Sequence, residues 1–223
     1  VKTTFVGHPL ANNIPFKSNT NTYRKKLNLN SKDLVVALLP GSRMGELRSH
    51  TDILLKTAKN LLKIYPKAKF LIPTNNNKNM NFIRSRIKVS KSKNLKLYRG
   101  RVSEIIGSSN IAIAASGTAS LEIALHKKPM IVIYKGSWIS YLGWKIVRLI
   151  PNVSLPNILL KENIVPEMLQ HKAKPSLLAK KAHEIIEDKK YLKKIELKFQ
   201  KLHKDLNKNT STLIFKMIKP YLK

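Results

Sequence analysis

Two short stretches of the sequence combine glycine with side chains that bind phosphate. The first consists of Gly41, Ser42 and Arg43, and the second of Ser116, Gly117 and Thr118. Glycine lets a backbone approach a ligand closely, arginine binds phosphate through two parallel hydrogen bonds, and the first amides of a helix attract anions. Glu122 follows one turn after the second stretch, where its carboxylate could accept hydrogen bonds from ribose hydroxyls. Either stretch alone could be an ordinary strand-to-helix turn, but the two together predict a nucleotide-type ligand.

The sequence excludes or disfavours several other kinds of site. Neither stretch matches the phosphate loop of ATPases or the dinucleotide fingerprint, which disfavours ATP hydrolysis and NAD binding. Because there is no cysteine, disulfides, thiolate metal sites and cysteine nucleophiles are excluded. The six histidines are too widely spaced for a zinc site, so we predict no metal and no cofactor. Most of these histidines are expected to be isolated surface residues.

Several further polar residues have more than one interpretation. Arg101 follows a predicted strand and could contact a base or a phosphate, or lie in a solvated turn. His8 ends a strand predicted over residues 3–6, at the start of what would be a second lobe. Glu46 and Glu104 are candidates for a general base, but a carboxylate near a helix start more often interacts with the helix dipole. No catalytic residue is therefore assigned.

An alternation of short apolar strands and helices positions these residues. The predicted strands cover residues 34–39, 69–73, 95–98, 111–115 and 130–134, and the predicted helices cover 45–64, 78–89 and 118–127. Buried strands separated by helices are typical of a parallel sheet covered on both faces, so the predicted fold class is a Rossmann-like α/β sheet. Ligands of such sheets bind beyond the carboxyl ends of the strands, where both glycine-containing stretches lie.

The pattern changes after Tyr134. A helix rich in aromatic residues is predicted from Gly136 to Ile150, followed by an irregular stretch with several prolines. Two or three amphipathic helices are predicted over residues 175–222. We therefore divide the chain into a Rossmann-like lobe over residues 1–150 and a C-terminal helical segment over residues 151–223.

The charge balance is strongly basic, with 43 Lys and Arg against 12 Asp and Glu and a formal net charge of +31. Such an excess favours an anionic partner, which could be phosphate, nucleic acid or an anionic membrane. Only 8 of the 43 cations are arginine, and aromatic residues are 7% of the chain, so a general surface bias is favoured over a dedicated nucleic-acid face. No apolar run is long enough to span a membrane and no signal peptide opens the sequence, which favours a cytoplasmic protein.

Six segments, in this order, resemble the C-terminal half of the lipid-A-disaccharide synthases, glycosyltransferase family 19. They cover residues 5–11, 38–43, 115–122, 129–132, 153–157 and 165–170. The Ser-Gly-Thr stretch with its glutamate also occurs in other two-lobed glycosyltransferases and in sugar-nucleotide epimerases. The Ser-Leu-Pro-Asn of residues 154–157, combined with the Pro-Glu-x-Leu-Gln of residues 166–170, makes the resemblance specific.

The resemblance implies a GT-B architecture, in which the C-terminal of two Rossmann-like lobes holds the donor nucleotide. It implies UDP-2,3-diacylglucosamine as donor, 2,3-diacylglucosamine 1-phosphate as acceptor, and a β-1,6-linked disaccharide 1-phosphate and UDP as products. The family is metal-independent and inverting, and lies peripherally on the inner face of the cytoplasmic membrane. A homodimer intertwined through the segment after residue 150 is also implied, with no nucleic-acid partner.

The resemblance also implies roles for individual residues. The diphosphate would be held by Gly41, Ser42, Arg43, Ser116, Gly117 and Thr118. Glu122 would hold the ribose, and Arg101 would lie on the uracil side. Asn157 and Gln170 would complete the site from the partner chain or simply cap their own loops, and His8 would line the interlobe cleft or be structural. The family's N-terminal lobe, which supplies the general base, has no counterpart here, so the chain alone is expected to bind UDP weakly without transferring sugar.

Two alternatives remain open at this stage. The first is another GT-B enzyme acting on UDP-N-acetylglucosamine, either a transferase or a 2-epimerase, although residues 154–157 count against it. The second is a non-catalytic basic module that binds nucleic acid or anionic lipid, for which nucleic-acid affinity would fall steeply with salt.

Overall fold

The structure, a computed structural model, describes residues 3–90, 94–136 and 152–219. Almost all of the aromatic-rich helix predicted over residues 136–150 lies outside the described residues. Within the described ranges, no helix combines the length and apolar character needed to cross a membrane.

Strands and helices alternate along the chain as predicted. The strands are β1 (Val35–Leu39), β2 (Lys69–Thr74), β3 (Leu95–Arg99), β4 (Ile111–Ala115), β5 (Met130–Tyr134) and β6 (Glu167–Leu169). The helices are α1 (Pro9–Asn13), α2 (Thr20–Lys26), α3 (Met44–Ile64), α4 (Asn77–Ser90), α5 (Val102–Ser108), α6 (Thr118–Leu125), α7 (Leu155–Leu160), α8 (Pro175–Glu187), α9 (Lys189–Leu206) and α10 (Thr210–Ile218). Helix α6 ends two residues earlier than predicted, because Lys127 adopts a left-handed backbone conformation (φ +58°).

The six strands form one parallel sheet in the order β3-β2-β1-β4-β5-β6. The chain direction across the sheet reverses between β1 and β4, which makes this pair the topological switch point where open parallel sheets bind ligands. Leu39 of β1 lies opposite Ala114 of β4, so the two strands end at the same level. The loops that follow them are therefore neighbours at the carboxyl edge of the sheet.

The sheet separates two buried apolar layers, which confirms the predicted fold class. Val35, Ala37 and Leu39 face one layer, together with buried residues of α5, α6 and α9. Val36 and Leu38 face the other, together with residues of α3 and α8. Because alternate residues of one strand point to opposite faces, only a strand covered on both sides is apolar throughout.

The chain after residue 152 completes the same lobe. Strand β6 pairs with β5, so that Met168 lies opposite Ile133. Helix α8 packs against α3 on one face of the sheet, and α9 packs against α6 on the other. The C-terminal segment thus contributes both a strand and covering helices to the sheet that residues 35–134 begin.

The strand predicted over residues 3–6 is wrong, since residues 3–8 form no strand. The backbone N–H of His8 instead donates to the carbonyl of Leu206 at the end of α9 (3.0 Å). A Cβ atom on Gly7, whose φ is +85°, would lie 2.7 Å from the same oxygen. The segment therefore binds through its backbone to the end of α9 instead of pairing with a strand. Helix α1 begins directly after it, at Pro9.

The expectation that most histidines lie on the surface is also wrong. His50, His126 and His203 are each at most 1% exposed. His203 contacts the carbonyl of Ala11 through Nε2 (2.9 Å), and His126 contacts the Ser103 hydroxyl through Nε2 (2.8 Å). These side chains fill contacts between helices that sequence spacing does not reveal.

Candidate functional site

A cavity of about 440 Å³ opens at the carboxyl ends of β1, β2 and β4. Its volume is in the range of small-molecule sites, and it lies at the switch point of the sheet. Seven of the residues predicted to hold a nucleotide line it: Gly41, Ser42, Arg43, Ser116, Gly117, Thr118 and Glu122. The two stretches that lie far apart in sequence thus form two walls of one cavity.

The first wall is the β1–α3 loop, residues 40–43. Gly41 adopts φ +113°, a conformation that favours glycine. The Glu46 carboxylate, in the first turn of α3, accepts hydrogen bonds from the backbone N–H of Ser42 (2.8 Å) and of Arg43 (3.2 Å). The amides of Ser42 and Arg43, which directly precede α3, are therefore occupied by this carboxylate. The exposed side chains of Ser42 and Arg43 on this wall are available to a ligand.

The second wall is the amino-terminal end of α6. Gly117 precedes the helix with φ +151°, and a Cβ atom at this position would have no neighbour within 4 Å. The Ser116 hydroxyl donates to the carbonyl of Val153 (2.9 Å), and its N–H donates to the carbonyl of Ile133 (2.9 Å). Ser116 therefore fixes the turn, while the first amides of α6 start at Thr118, where a helix attracts negative charge.

Glu122 lines the cavity one turn into α6 and is half-buried. Burial raises the pKa of its carboxyl group above the usual value. A partly desolvated carboxylate gains from hydroxyl groups that donate hydrogen bonds to it. This position therefore suits a ligand with hydroxyl groups, such as a ribose.

Sequence reasoning missed a third wall, which follows β2. Thr74 and Asn75 line the cavity beside the β1–α3 loop. Asn79, which is 5% exposed, donates through Nδ2 to the side chain of Asn75 (2.6 Å) and to the carbonyl of Ser42 (2.8 Å). The rule that ligands bind beyond the carboxyl ends of strands could have identified Thr74 and Asn75.

Two predicted residues lie near the cavity without lining it. Arg101 adopts φ +55°, and its guanidinium donates to the carbonyl of Lys26 (3.1 Å), while the next residue, Val102, lines the cavity. His8 accepts a hydrogen bond at Nδ1 from the N–H of Leu10 (3.2 Å), and Leu10 lines the cavity. The proposed ligand contacts of both side chains stay predictions.

Asn157 and Gln170 are buried outside this cavity. Asn157 donates to the carbonyl of Val165 and to Glu167 (both 2.9 Å), and it accepts from the N–H groups of Ile164 (3.0 Å) and Val165 (2.8 Å). This is loop capping within its own chain. Gln170 follows β6 with φ +47°, and among the described residues its buried Nε2 has no hydrogen-bond partner. A role for either at a partner's site stays a prediction.

In the described ranges, no three side chains of His, Asp or Glu lie close enough together to hold a metal ion. The cavity instead combines an arginine, hydroxyl groups, a helix start and two half-buried carboxylates, Glu122 and Glu46, of which Glu46 accepts hydrogen bonds from loop amides. Such a set can bind an anionic group and a hydroxylated group side by side.

Comparison with known proteins identifies the relatives of this chain. Residues 1–218 match the family model described as lipid-A-disaccharide synthetase. A lipid-A-disaccharide synthase of Methylobacillus flagellatus is 35% identical over the whole chain, and one of Neisseria meningitidis serogroup A is 37% identical over 94% of it. The chain spans 60% and 55% of the lengths of these two relatives and corresponds to their C-terminal half.

Solved structures with a similar fold include glycosyltransferases of the GT-B type and a UDP-GlcNAc 2-epimerase of Neisseria meningitidis. The Anabaena protein HepE in complex with UDP and glucose has a TM-score of 0.62 at 13% identity, over 96% of this chain and 55% of that one. WaaG, a glycosyltransferase involved in lipopolysaccharide biosynthesis, has a TM-score of 0.60 at 12% identity, over 90% of this chain and 50% of that one. These similarities confirm the predicted GT-B fold.

Proposed function

The chain belongs to the lipid-A-disaccharide synthetase family, and we propose that it is the donor-binding lobe of a lipid-A-disaccharide synthase. The reaction transfers 2,3-diacylglucosamine from UDP-2,3-diacylglucosamine to 2,3-diacylglucosamine 1-phosphate. Its products are the β-1,6-linked disaccharide 1-phosphate and UDP. We assign the acceptor lobe and the general base to a part of the enzyme outside these 223 residues.

The observation that carries this proposal is the cavity at the switch point, with Arg43 on one wall and the start of α6 on the other. When the glycosidic bond to UDP breaks, negative charge develops on the departing diphosphate. Fixed positive groups that face this charge stabilise the transition state more than the ground state. The Arg43 guanidinium and the amino-terminal end of α6 supply such groups, with the Ser42 hydroxyl beside them.

Glu122 binds the ribose in this proposal. Its half-buried carboxylate lies one turn beyond the diphosphate-binding end of α6, so the ribose lies deeper in the same cavity. Hydrogen bonds from the ribose hydroxyls would stabilise the ionised form and lower the pKa that burial raises. UDP binding is therefore expected to release a proton when the solution pH lies near that pKa.

Titration of the chain with UDP tests the donor site. Arg43→Ala and Glu122→Ala are each expected to weaken binding by about ten- to a hundredfold, the range for losing a hydrogen bond to a charged group. Arg48→Ala and Glu104→Ala are the matched controls, since both residues lie near helix starts but do not line the cavity. Nucleic-acid binding that falls steeply with salt and ignores Arg43→Ala would instead support a basic binding module.

The acyl chains of the donor distinguish this proposal from the UDP-N-acetylglucosamine enzymes. The complete enzyme, containing the acceptor lobe, is expected to form disaccharide from the acylated donor and to leave UDP-N-acetylglucosamine unused. Turnover or epimerisation of the non-acylated sugar nucleotide would contradict the assignment.

We also propose peripheral association with the inner face of the cytoplasmic membrane, supported by the exposed side of α9. Five lysines there surround Leu197, which is 57% exposed: Lys190, Lys193, Lys194, Lys198 and Lys201. Each cation near an anionic leaflet contributes about 1 kcal/mol to membrane binding.

The proposed enzyme is a homodimer in which the segment after residue 150 reaches the partner's nucleotide site. The exposed apolar side chains of α10 support a contact with another polypeptide: Ile214, Phe215, Met217 and Ile218. Sedimentation analysis of the complete enzyme tests this directly, and a monomer at micromolar concentration would contradict it.

A further inference from the structure

The side chain of Glu46 fixes the backbone of the β1–α3 loop. Both the Ser42 and the Arg43 amides donate to its Oε2 atom. The carboxylate lies so close to the loop that a Cβ atom on Gly41 would be 2.3 Å from the same oxygen. A carboxylate in the first turn of a helix is also favoured by the helix dipole.

Two further side chains hold the carbonyl groups of the loop. His50 lies one helical turn beyond Glu46, and its Nδ1–H donates to the carbonyl of Pro40 (3.0 Å). Its Nε2 accepts from the N–H of Lys135 after β5 (3.0 Å), which requires a neutral ring. Burial lowers the pKa of His50 and favours that neutral form. From α4, Asn79 donates to the carbonyl of Ser42 (2.8 Å).

Side chains from α3 and α4 thus occupy four backbone polar groups of the loop. They leave the side chains of Ser42 and Arg43 for the cavity. Arg43 is exposed, and no acidic side chain in the described ranges forms a salt bridge with it. The backbone is therefore fixed while the guanidinium remains available, which is how a binding group is preorganised.

We propose that Glu46 is a positioning residue for the donor diphosphate: by fixing the Ser42–Arg43 backbone, with support from His50 and Asn79, it directs the Arg43 guanidinium into the cavity. The inference rests on the proposed function, because it assumes that the cavity binds UDP. Glu46 also lines the cavity, but the role assigned to it here is exerted through its hydrogen bonds to the two backbone amides. A neutral acceptor at the same place should therefore preserve its role.

The test compares binding of UDP with binding of uridine, which lacks both phosphates, in variants of the whole protein. Glu46→Ala is expected to weaken UDP binding about tenfold, as when the support of a binding group is removed, and to leave uridine binding unchanged. Glu46→Gln, which keeps an acceptor oxygen, is expected to restore most of the UDP affinity. Glu104→Ala, a first-turn carboxylate of α5 outside the cavity lining, is the matched control.

A double-mutant cycle separates positioning from general stability. If Glu46 acts through Arg43, then Glu46→Ala added to Arg43→Ala should weaken UDP binding by less than about twofold further, since interacting residues are non-additive. Equal losses of uridine and UDP affinity, or full additivity with Arg43→Ala, would overturn the inference.

Two other outcomes identify which claim has failed. If the unaltered protein binds UDP no better than uridine, the donor-site proposal itself fails. If it binds UDP well and Glu46→Ala behaves like Glu104→Ala, only the positioning role fails. Should Glu46→Ala not fold, Asn79→Ala gives the same test from α4, because it frees the Ser42 carbonyl without altering α3.

Discussion

Gly41 illustrates how a single residue constrains the candidate site. It combines a left-handed backbone conformation with a close approach by Glu46, so the position has neither the conformation nor the space for a side chain. Gly45, four residues later, is helical, and a Cβ atom there would meet nothing within 4 Å. Two glycines in one short stretch of sequence therefore have opposite structural requirements.

Gly41→Ala is expected to lower the free energy of unfolding by about 1–3 kcal/mol through backbone strain and to weaken UDP binding. Gly45→Ala should leave UDP binding unchanged and raise helix stability by at most about 1 kcal/mol. Thermal unfolding and UDP titration of the two variants check this. Equal behaviour of the two variants would contradict the role assigned to Gly41.

A second residue-scale feature is a cluster of basic groups after α6, with His126 buried and Lys127 and Lys128 half-buried. Burial lowers the pKa of His126 to about 4 and the pKa values of Lys127 and Lys128 each to about 8. Lys127 Nζ contacts Nδ1 of His203 (2.6 Å), and Lys128 Nζ donates to the hydroxyl of Thr20 (2.8 Å). The folded chain thus holds these groups where accepting a proton is unfavourable.

The pH dependence of stability follows from these shifts. In each case the unfolded chain binds protons more tightly than the folded one, so the free energy of unfolding rises with pH between the two pKa values. For His126 this window runs from about 4 to 6.5, and for the two lysines from about 8 to 10.5. Chemical unfolding at stepped pH should show both rises. Lys128→Met should reduce the upper rise strongly and the lower one slightly, because the charge of Lys128 is a secondary cause, after burial, of the lowered His126 pKa.

At the scale of elements, α1 and the end of α9 are joined by a polar clamp. Asn12 donates through Nδ2 to the side chain of Asn207 and to the carbonyl of Lys208 (both 2.7 Å). Its Oδ1 accepts from the Thr210 hydroxyl (3.1 Å). One side chain thereby connects the start of the lobe to the α9–α10 junction.

Asn12→Ala is expected to speed amide hydrogen exchange in α1 and around the α9–α10 junction, with a loss of about 1–2 kcal/mol in local opening free energy. Exchange in the central strands should not change, because the clamp lies outside the core layers. Asn13→Ala, an exposed neighbour on the same helix, serves as the control. Uniformly faster exchange throughout the lobe would contradict a local clamp.

The elements differ in how far the sequence predicts them. The four central strands, β1, β2, β4 and β5, are runs of mostly apolar residues, and this composition identifies them, whereas the edge strand β3 alternates apolar and polar residues over Leu95–Leu97. Helix α2 has no apolar face, and its buried Arg24 is satisfied by the carbonyl of Ser108 (3.1 Å) and the side chain of Asn110 (2.8 Å). Such a helix depends on tertiary hydrogen bonds, which no local pattern indicates. Strand β6, with three residues, is too short to show a period.

The same distinction applies to the candidate site. Two of its walls were predictable because glycine, hydroxyl and charged residues directly follow apolar strands. The roles of His50 and Asn79 were not, because they bind loop carbonyls 10 and 37 residues away in sequence. Glu46 lies only three residues after Arg43, but the sequence indicated it as a partner of the helix dipole and not as a support of the loop. Only the spacing of Glu46 and His50, one helical turn apart, hints that both face the same loop.

At the scale of the whole molecule, the net charge of +31 is distributed between specific and general roles. Arg43 lies in the cavity, whereas the lysines of α9 form a separate basic surface around Leu197. Many other lysines, including three exposed ones on α3, are isolated on the surface. The role of the α9 lysines in membrane binding can therefore be tested by removing the same number of lysines from α9 and from another exposed helix.

Replacing Lys190, Lys193 and Lys194 by Gln is expected to weaken binding to anionic vesicles by about a hundredfold, at about 1 kcal/mol per cation. The matched control replaces three exposed lysines of α3, Lys56, Lys59 and Lys63, by Gln. Vesicle co-sedimentation at low salt measures both. Equal losses in the two triple variants would indicate a non-specific charge effect and contradict a membrane-facing α9.

The contact between Gly7 and Leu206 has a consequence for protein engineering. The polypeptide enters the lobe and leaves α9 at the same place, where Lys208 Nζ also lies 4.6 Å from the centroid of the Phe5 ring. A short linker between residues 5 and 208 would therefore close the lobe into a ring without disturbing the sheet. New termini opened in the exposed turn at Pro66 and Lys67, at the opposite end of β2 from the cavity wall of Thr74 and Asn75, would give a circular permutant that retains the nucleotide-binding loops in their native geometry.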